Sequence, residues 1–306
     1  MLLPKFLSEN EIVIPPILIQ GSKLSILSLI LSNIYWEEEG VYYEPFMGSG
    51  IIAFNIKPKH AILSDINPHI INLYRAIQTD TLDLTDLYEE LWEAKRNLKH
   101  GDGKYFYEIR DRFNKTANSI DFLILIHTCY RHLCRFNSLG EFNAPFCFDK
   151  TRYLTNDHDE QGEFIDLVLK RIKIIQDIIK KSQYEFLNLD FMNILPMIKA
   201  NDFVYLDPPY LLRNTQYFQG FTPEQNHNLT VWINKTPCNY AESNWYSDSV
   251  QINPLMKEFT NAKILKFNHE YVIGNGSGKT KHKKIKEALI INPRNIVKDQ
   301  GLLKYT

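Results

Sequence analysis

Short apolar runs alternate with amphipathic stretches along the chain, and the runs end in polar or acidic residues. Residues 42–44, 61–65, 184–190 and 203–206 read as buried strands. Phe46-Met47-Gly48-Ser49-Gly50 follows the first run as a glycine turn that opens a helix, and another helix is expected from residue 68. Later strands are expected at 262–267 and 287–292. This alternation predicts an α/β fold with a mostly parallel, Rossmann-like sheet covered on both faces. A length of 306 residues suits one large domain, or one domain with a sizeable insertion.

Between about residues 79 and 182 the alternation gives way to helical patterns. Residues 164–181 read as an amphipathic helix that packs on the core. In the middle lies Arg131-His132-Leu133-Cys134-Arg135-Phe136-Asn137-Ser138-Leu139-Gly140-Glu141-Phe142-Asn143-Ala144-Pro145-Phe146. It mixes Arg, Asn, aromatics and Gly with little periodicity, which marks an irregular functional loop. The expected organisation is a catalytic domain made of 1–78 and 184–306, interrupted by a helical insertion at 79–183.

Charge changes the picture only locally. The net charge is −1, so the whole chain is not a polycation. Lysines gather near its end, however, among them Lys279, Lys281 and Lys283. They sit in or after the glycine-rich stretch 274–280, expected to form a hairpin tip. A basic stripe on a near-neutral protein suits a phosphate backbone, although a solvated loop reads the same way. The stretch is not a nucleotide-binding P-loop, because Ile273 stands where that motif needs glycine. No apolar run is long enough to span a membrane, and no secretory leader is visible. The four cysteines lack zinc-ligand spacing. They are expected to be reduced thiols in a cytoplasmic protein, with no metal site.

The strongest chemical signal is Asp207-Pro208-Pro209-Tyr210, directly after the fourth strand. Open α/β sheets place their chemistry at the carboxyl ends of strands. Two prolines stiffen the turn and remove two backbone donors. What remains is a carboxylate, outward carbonyls and one flat ring, equipment that suits a planar amino group such as that of adenine. An ordinary strand-ending turn is the alternative. Gly48 and Gly50 fit a nucleoside-cofactor turn. Asp65 ends the next strand, where a carboxylate can accept hydrogen bonds from both ribose hydroxyls. Asp190 ends the third and can accept an adenine amino group. Each acid alone could equally be a helix cap; three at successive strand ends beside a glycine turn are harder to assign to chance.

Together, Pro16 to Lys23, Glu44 to Gly50, Asp65-Ile66-Asn67, Cys134 to Phe146 and Asp207 to Tyr210 resemble the Dam-like (class α) DNA adenine-N6 methyltransferases, and in particular modification methylases of the EcoRV type. The likeness runs from Ile14 to about Asn292 and is weakest between Leu211 and Phe259. It implies a site-specific enzyme that moves a methyl group from S-adenosylmethionine to adenine N6 in a short duplex sequence. The expected setting is a type II restriction system, with the cognate endonuclease acting separately and no obligatory protein partner. The resemblance assigns Lys23 and the backbone of Gln20 and Gly21 to the methionine end of the cofactor. It places Ile19, Glu44, Phe46, Gly48 and Gly50 around the cofactor, Asp65 at the ribose, Ile66 on the adenine and Asp190 at its amino group. Asp207 and the Pro208 carbonyl hold the target amine, with Tyr210 stacked on a flipped base. Leu133, Arg135 and Asn137 match base-reading positions. Three departures stand out. Ile19 replaces a tryptophan of Dam-type enzymes, Leu18 replaces a base-reading lysine, and Arg131-His132 replaces Asn-Gly, so the recognition sequence does not carry over. Methylation of RNA or of a protein amide, and a non-catalytic DNA-binding protein on the same fold, are the alternatives.

Overall fold

A computed structural model of the chain describes residues 11–293 except 35, 37, 38, 100–102, 150–153, 155, 157, 212–219 and 275–279; of residues 99, 269–274 and 280–284 the backbone alone is described. Strands β1 (Tyr42–Glu44), β2 (His60–Ser64), β3 (Gln183–Leu187), β4 (Phe203–Leu206), β5 (Asn239–Ser247), β6 (Lys263–Gly274) and β7 (Thr280–Ile291) form one sheet. Their order is β3-β2-β1-β4-β5-β7-β6. Strands β1 to β5 pair in parallel, and β7 runs antiparallel between β5 and β6. The expected mostly parallel α/β sheet is therefore present. Every residue of β1 and β4 is buried, as continuous apolar runs in a sheet covered on both faces must be. The chain leaves β1 toward β2 and β3, then returns to place β4 on the other flank of β1. Such a reversal opens a crevice at the carboxyl ends of the two central strands.

β5 is absent from the sequence reading. Its interior carries Glu242, Ser243 and Asn244, all buried, so its polarity resembles a loop. It pairs with β4 from Phe203↔Asn239 to Leu206↔Glu242 and carries the sheet across to β7. The β6–β7 hairpin also runs farther than expected, paired continuously from Lys263↔Ile291 to Gly274↔Thr280. The tip, with Lys279, lies outside the described residues. Lys281 and Lys283 stand on β7, where only their backbone is described.

Helices α1 (Leu27–Ser32), α2 (Ala53–Ile56) and α3 (Pro68–Gln78) precede four consecutive helices, α4 (Leu84–Lys99), α5 (Lys104–Thr116), α6 (Ser119–Thr128) and α7 (Glu163–Lys180); α8 (Phe191–Ile194) and α9 (Pro223–Lys235) follow. α6 is apolar nearly all round and buried from Asp121 onward, as expected for a helix surrounded by others. Asn118 starts it, its side chain accepting from the amides of Ile120 (2.7 Å) and Asp121 (3.3 Å). One continuous core joins Tyr42, Phe203 and Tyr205 of the sheet to α3 and to α4–α7. A second lies on the opposite face, between Val204, Leu206, Tyr240 and Ile290 and Leu229 and Ile233 of α9. α7 packs on α3 and leads directly into β3, so the helical segment is seated on the sheet rather than hung from it. Among the described residues no helix is long and apolar enough to cross a membrane.

Candidate active site

The turn after β1 is shaped by two glycines. Gly48 (φ +48°) and Gly50 (φ +71°) occupy the left-handed region, where L side chains are strained. A Cβ on Gly50 would lie 2.6 Å from the Phe54 ring, whereas one on Gly48 would meet only the Ile19 Cδ1 at 3.3 Å. Gly50 thus serves the packing of α2, and Gly48 forms the wall opposite the N-terminal segment. The Gly48 amide donates to Asp65 Oδ2 and the Asn67 amide to Asp65 Oδ1, both at 2.9 Å. Asp65 is half-buried, and burial pushes its carboxyl up to about 6 against those two donors. Asn188 clasps the same turn from β3, donating to the carbonyls of Asp65 (2.9 Å) and Ile66 (3.0 Å). Nothing in the strand pattern singles out Asn188.

The remaining predicted cofactor residues divide into wall and support. Phe46 is half-buried, its ring 5.0 Å from Phe191 and edge-on to Phe221 at 6.0 Å. Glu44 is 2% exposed. Its Oε2 accepts from the Tyr42 hydroxyl (2.9 Å) and the Ala53 amide (3.0 Å), beneath the glycine turn. Burial raises its carboxyl to about 8. Asp190 lies beyond the end of β3 and caps α8, accepting from the Met192 amide at 2.8 Å. This is the cap alternative noted for the acids, and Asp190 is half-buried.

The N-terminal segment closes the crevice from the other side. The Gln20 amide donates to the His132 carbonyl (3.1 Å), and His127 Nε2 meets the Pro16 carbonyl at 2.8 Å. Gln20 and Gly21 are exposed, Ile19 half-buried. Lys23, buried at the start of a 3-10 turn, places its ammonium 2.9 Å from the Gly21 carbonyl, 2.6 Å from Asp207 Oδ2 and 5.2 Å from the centre of the Tyr210 ring. It ties the N-terminal motif to the ledge after β4.

That ledge is held from β5 and β7. The Trp245 indole donates to the Leu211 carbonyl at 3.1 Å, and the Tyr210 hydroxyl donates to Glu287 Oε2 at 3.4 Å. Pro208 is buried; Asp207 and Tyr210 are half-buried. Burial raises the Asp207 carboxyl, Lys23 opposes that shift, and Glu287 adds to it. Sequence reasoning missed Trp245, Glu287 and Glu242. The last is a buried carboxyl on β5, bonded to Asn244 at 2.9 Å and pushed by burial to about 8.

The irregular loop folds into a tight hairpin with Phe136 bridged to Phe142. Arg131 and His132 both adopt φ +53°, the conformation that Asn-Gly accommodates at lower strain. Arg135 donates from Nε to Asn143 Oδ1 (2.7 Å) and from Nη2 to the Asn143 carbonyl (2.6 Å). Asn137 Oδ1 accepts from the amides of Leu139 (3.0 Å) and Glu141 (2.9 Å). The side chains of both residues thus take part in shaping the turn. Leu133 is half-buried. Phe136 stacks on His69 at 5.1 Å, and Leu139, at the tip, is 81% exposed. The hairpin base touches the crevice walls twice, at the N-terminal segment through Gln20–His132 and at the turn after β2 through Asn67 Nδ2 to Cys134 Sγ (3.5 Å).

The chain is similar to known proteins. Residues 20–275 match the model of the D12 class N6 adenine-specific DNA methyltransferases. Type II methyltransferase M.MjaIII of Methanocaldococcus jannaschii is 33% identical over 220 residues, covering 66% of this chain and 71% of the relative. Retron Ec67 DNA adenine methylase of Escherichia coli is 28% identical over 259 residues, 80% and 81% of the two chains. Modification methylase StsI of Streptococcus sanguinis is 27% identical over 296 residues, but the match spans only 44% of that longer protein. The chain, with its acid-ended ledge and glycine turn meeting at the central crevice, belongs to the D12 class N6 adenine-specific DNA methyltransferase family.

Proposed function

We propose that the chain transfers a methyl group from S-adenosylmethionine to adenine N6 within a short sequence of double-stranded DNA, as the modification partner of a type II restriction system. In this reading it works in the cytoplasm without an obligatory protein partner, and the cognate endonuclease acts separately. Residues 1–78 and 184–306 form the catalytic unit, and 79–183 carries target recognition. The observation that carries the proposal is the Asp207–Tyr210 ledge beside the Gly48–Asp65 turn, with Lys23 tying the N-terminal segment to the ledge.

The crevice suits the cofactor. Gly48 presents no side chain toward it, Phe46 and Ile66 offer apolar surface, and Asp65 offers an acceptor to ribose hydroxyls. Lys23, Gln20 and Gly21 serve the amino-acid end, and Asp190 the adenine amino group. When bound, S-adenosylmethionine supplies a methyl group made electrophilic by its positively charged sulfur.

The chain's own residues prepare the acceptor. The lone pair of adenine N6 is delocalised into the ring. Lys23 occupies Asp207 Oδ2, so Oδ1 and the Pro208 carbonyl take the two amine hydrogens. Two acceptors favour a pyramidal nitrogen with its lone pair aimed at the methyl carbon. N6 gains one carbon bond and gives up one proton, for which Asp207 is the nearest base in this arrangement. Orientation and charge placement carry most of the rate gain. The base is reached only by flipping it from the duplex, and the Tyr210 stack returns roughly 1–3 kcal/mol of that cost. Arg135, Asn137 and Leu133 hold or form the reading hairpin, and Lys279, Lys281 and Lys283 track phosphates.

The test is single-molecule sequencing of DNA from a methylation-deficient host that expresses the chain, beside its Asp207→Ala variant. N6-methyladenine at one short motif, lost in the variant by roughly a hundredfold or more while DNA binding persists, is the expected result. Methyl incorporation into RNA alone, or full activity of the variant, overturns the proposal.

A further inference from the structure

Glu287 is the acid nearest the ledge that the transfer chemistry leaves unexplained. It sits on β7, opposite Trp245 of β5 and Phe267 of β6, and is 1% exposed. A carboxyl so buried is costly unless its surroundings use it. Its Oε2 accepts from the Tyr210 hydroxyl, and its paired neighbour Trp245 donates its indole N–H to the Leu211 carbonyl of the ledge. Two adjacent strands therefore grip consecutive residues of one loop. The Tyr210–Glu287 contact is long for a bond between oxygens, and hydrogen bonds of this kind tighten when substrate closes an active site.

We propose that Glu287 is a positioning residue for methyl transfer: through the Tyr210 hydroxyl it fixes the ring that stacks on the target base, and from β7 its carboxyl faces the Lys23–Asp207 pair that receives the amine. The inference rests on the assignment of Asp207 and Tyr210 to the target base. Asp207 is also faced by Lys23 from the N-terminal turn, Glu44 from β1, Tyr205 from β4 and Glu242 from β5. Glu287 is distinguished from Glu44 and Glu242 by its contact with the stacking ring.

Glu287→Gln keeps the shape and the acceptor but removes the charge; Tyr210→Phe keeps the ring but removes the hydroxyl. Three readouts are taken on the full chain with duplex DNA: kcat against pH, KM for both substrates, and fluorescence of 2-aminopurine at the target position. For Glu287→Gln, kcat should fall about tenfold, the scale of a slightly misplaced reacting group. KM for the cofactor should stay within about twofold, and the acid limb of the pH profile should move down, because a neighbouring negative charge that raises Asp207 is gone. For Tyr210→Phe, the 2-aminopurine signal should weaken, and adding Glu287→Gln should reduce it no further. An unmoved acid limb with kcat within about twofold of the parent, or fully additive effects on the flipping signal, overturns the inference. An active Asp207→Ala control instead overturns the site assignment, so the two failures are distinguishable.

Discussion

At the residue scale, side chains of similar sequence context take different parts. Asp65, Asp190 and Asp207 all follow strands, yet Asp65 is braced by two amides, Asp190 caps a helix, and Asp207 meets an ammonium. Their chemistry follows from these partners, and only the strand-end position was legible beforehand. The two glycines of the cofactor turn divide in the same way. Gly50→Ala forces both a left-handed backbone and a methyl against the buried Phe54 ring. It should lower unfolding free energy by roughly 2–5 kcal/mol, the sum of strain and overpacking. Gly48→Ala meets one flexible methyl and should cost roughly 1–2 kcal/mol. Denaturant unfolding of the two variants checks the order, and equal losses would refute it.

At the scale of elements, periodicity was a reliable guide where a segment buries one apolar face. α3, α7 and β3 were legible for that reason, and β1, β2 and β4 as short runs buried on both faces. β5 was not, because this interior strand of the sheet buries Glu242, Ser243 and Asn244. α9 was missed because its start, Pro223-Glu224-Gln225-Asn226-His227-Asn228, is polar, although Thr222 and Gln225 form a capping box there. The stretch 131–146 was legible by composition as an irregular loop, but its hairpin bridge at 136–142 and the internal bonding of Arg135 and Asn137 were not. The seating of the helical segment depends on Asp159, which accepts from buried Lys95 of α4 at 2.9 Å and from the Glu163 amide at the start of α7 at 2.7 Å. Asp159→Ala strands a buried ammonium and uncaps α7, and should cost roughly 3–5 kcal/mol. The double replacement Lys95→Met with Asp159→Ala should recover part of that loss. Thermal unfolding of both variants decides it; a double variant less stable than Asp159→Ala would contradict this account.

At the scale of the whole molecule, acids converge where the sheet reverses. Burial raises Glu44 and Glu242 to about 8 and Asp65 to about 6. A carboxyl raised by folding binds its proton more tightly in the native state. Its contribution to stability is therefore complete below its unfolded value near 4 and lost as pH climbs through the folded one. The contribution of these groups to the melting temperature should accordingly decline between about pH 4 and pH 8 and level off above it. Glu242→Gln should flatten the upper part of that decline. A melting temperature that rises over this range would show that these carboxyls are solvated. Within the same cluster Lys23 supplies a buried counter-charge to Asp207.

The fold class, the Asp207–Tyr210 ledge and the family are legible in local sequence, because they rest on local patterns: a strand's apolar run, a glycine turn, an acid followed by two prolines and a tyrosine. Each is written in consecutive residues, and local sterics and burial enforce it. Tertiary structure alone decided which distant residues serve those patterns. Lys23 lies far from Asp207 in the chain, Asn188 from Asp65, and Glu287 from Tyr210, yet each pair is in contact. The N-terminal turn docked at the end of β4 creates the first contact, the β2–β3 pairing the second, and β7 beyond β5 the third. No periodicity along the chain encodes them, since they depend on which strands become neighbours.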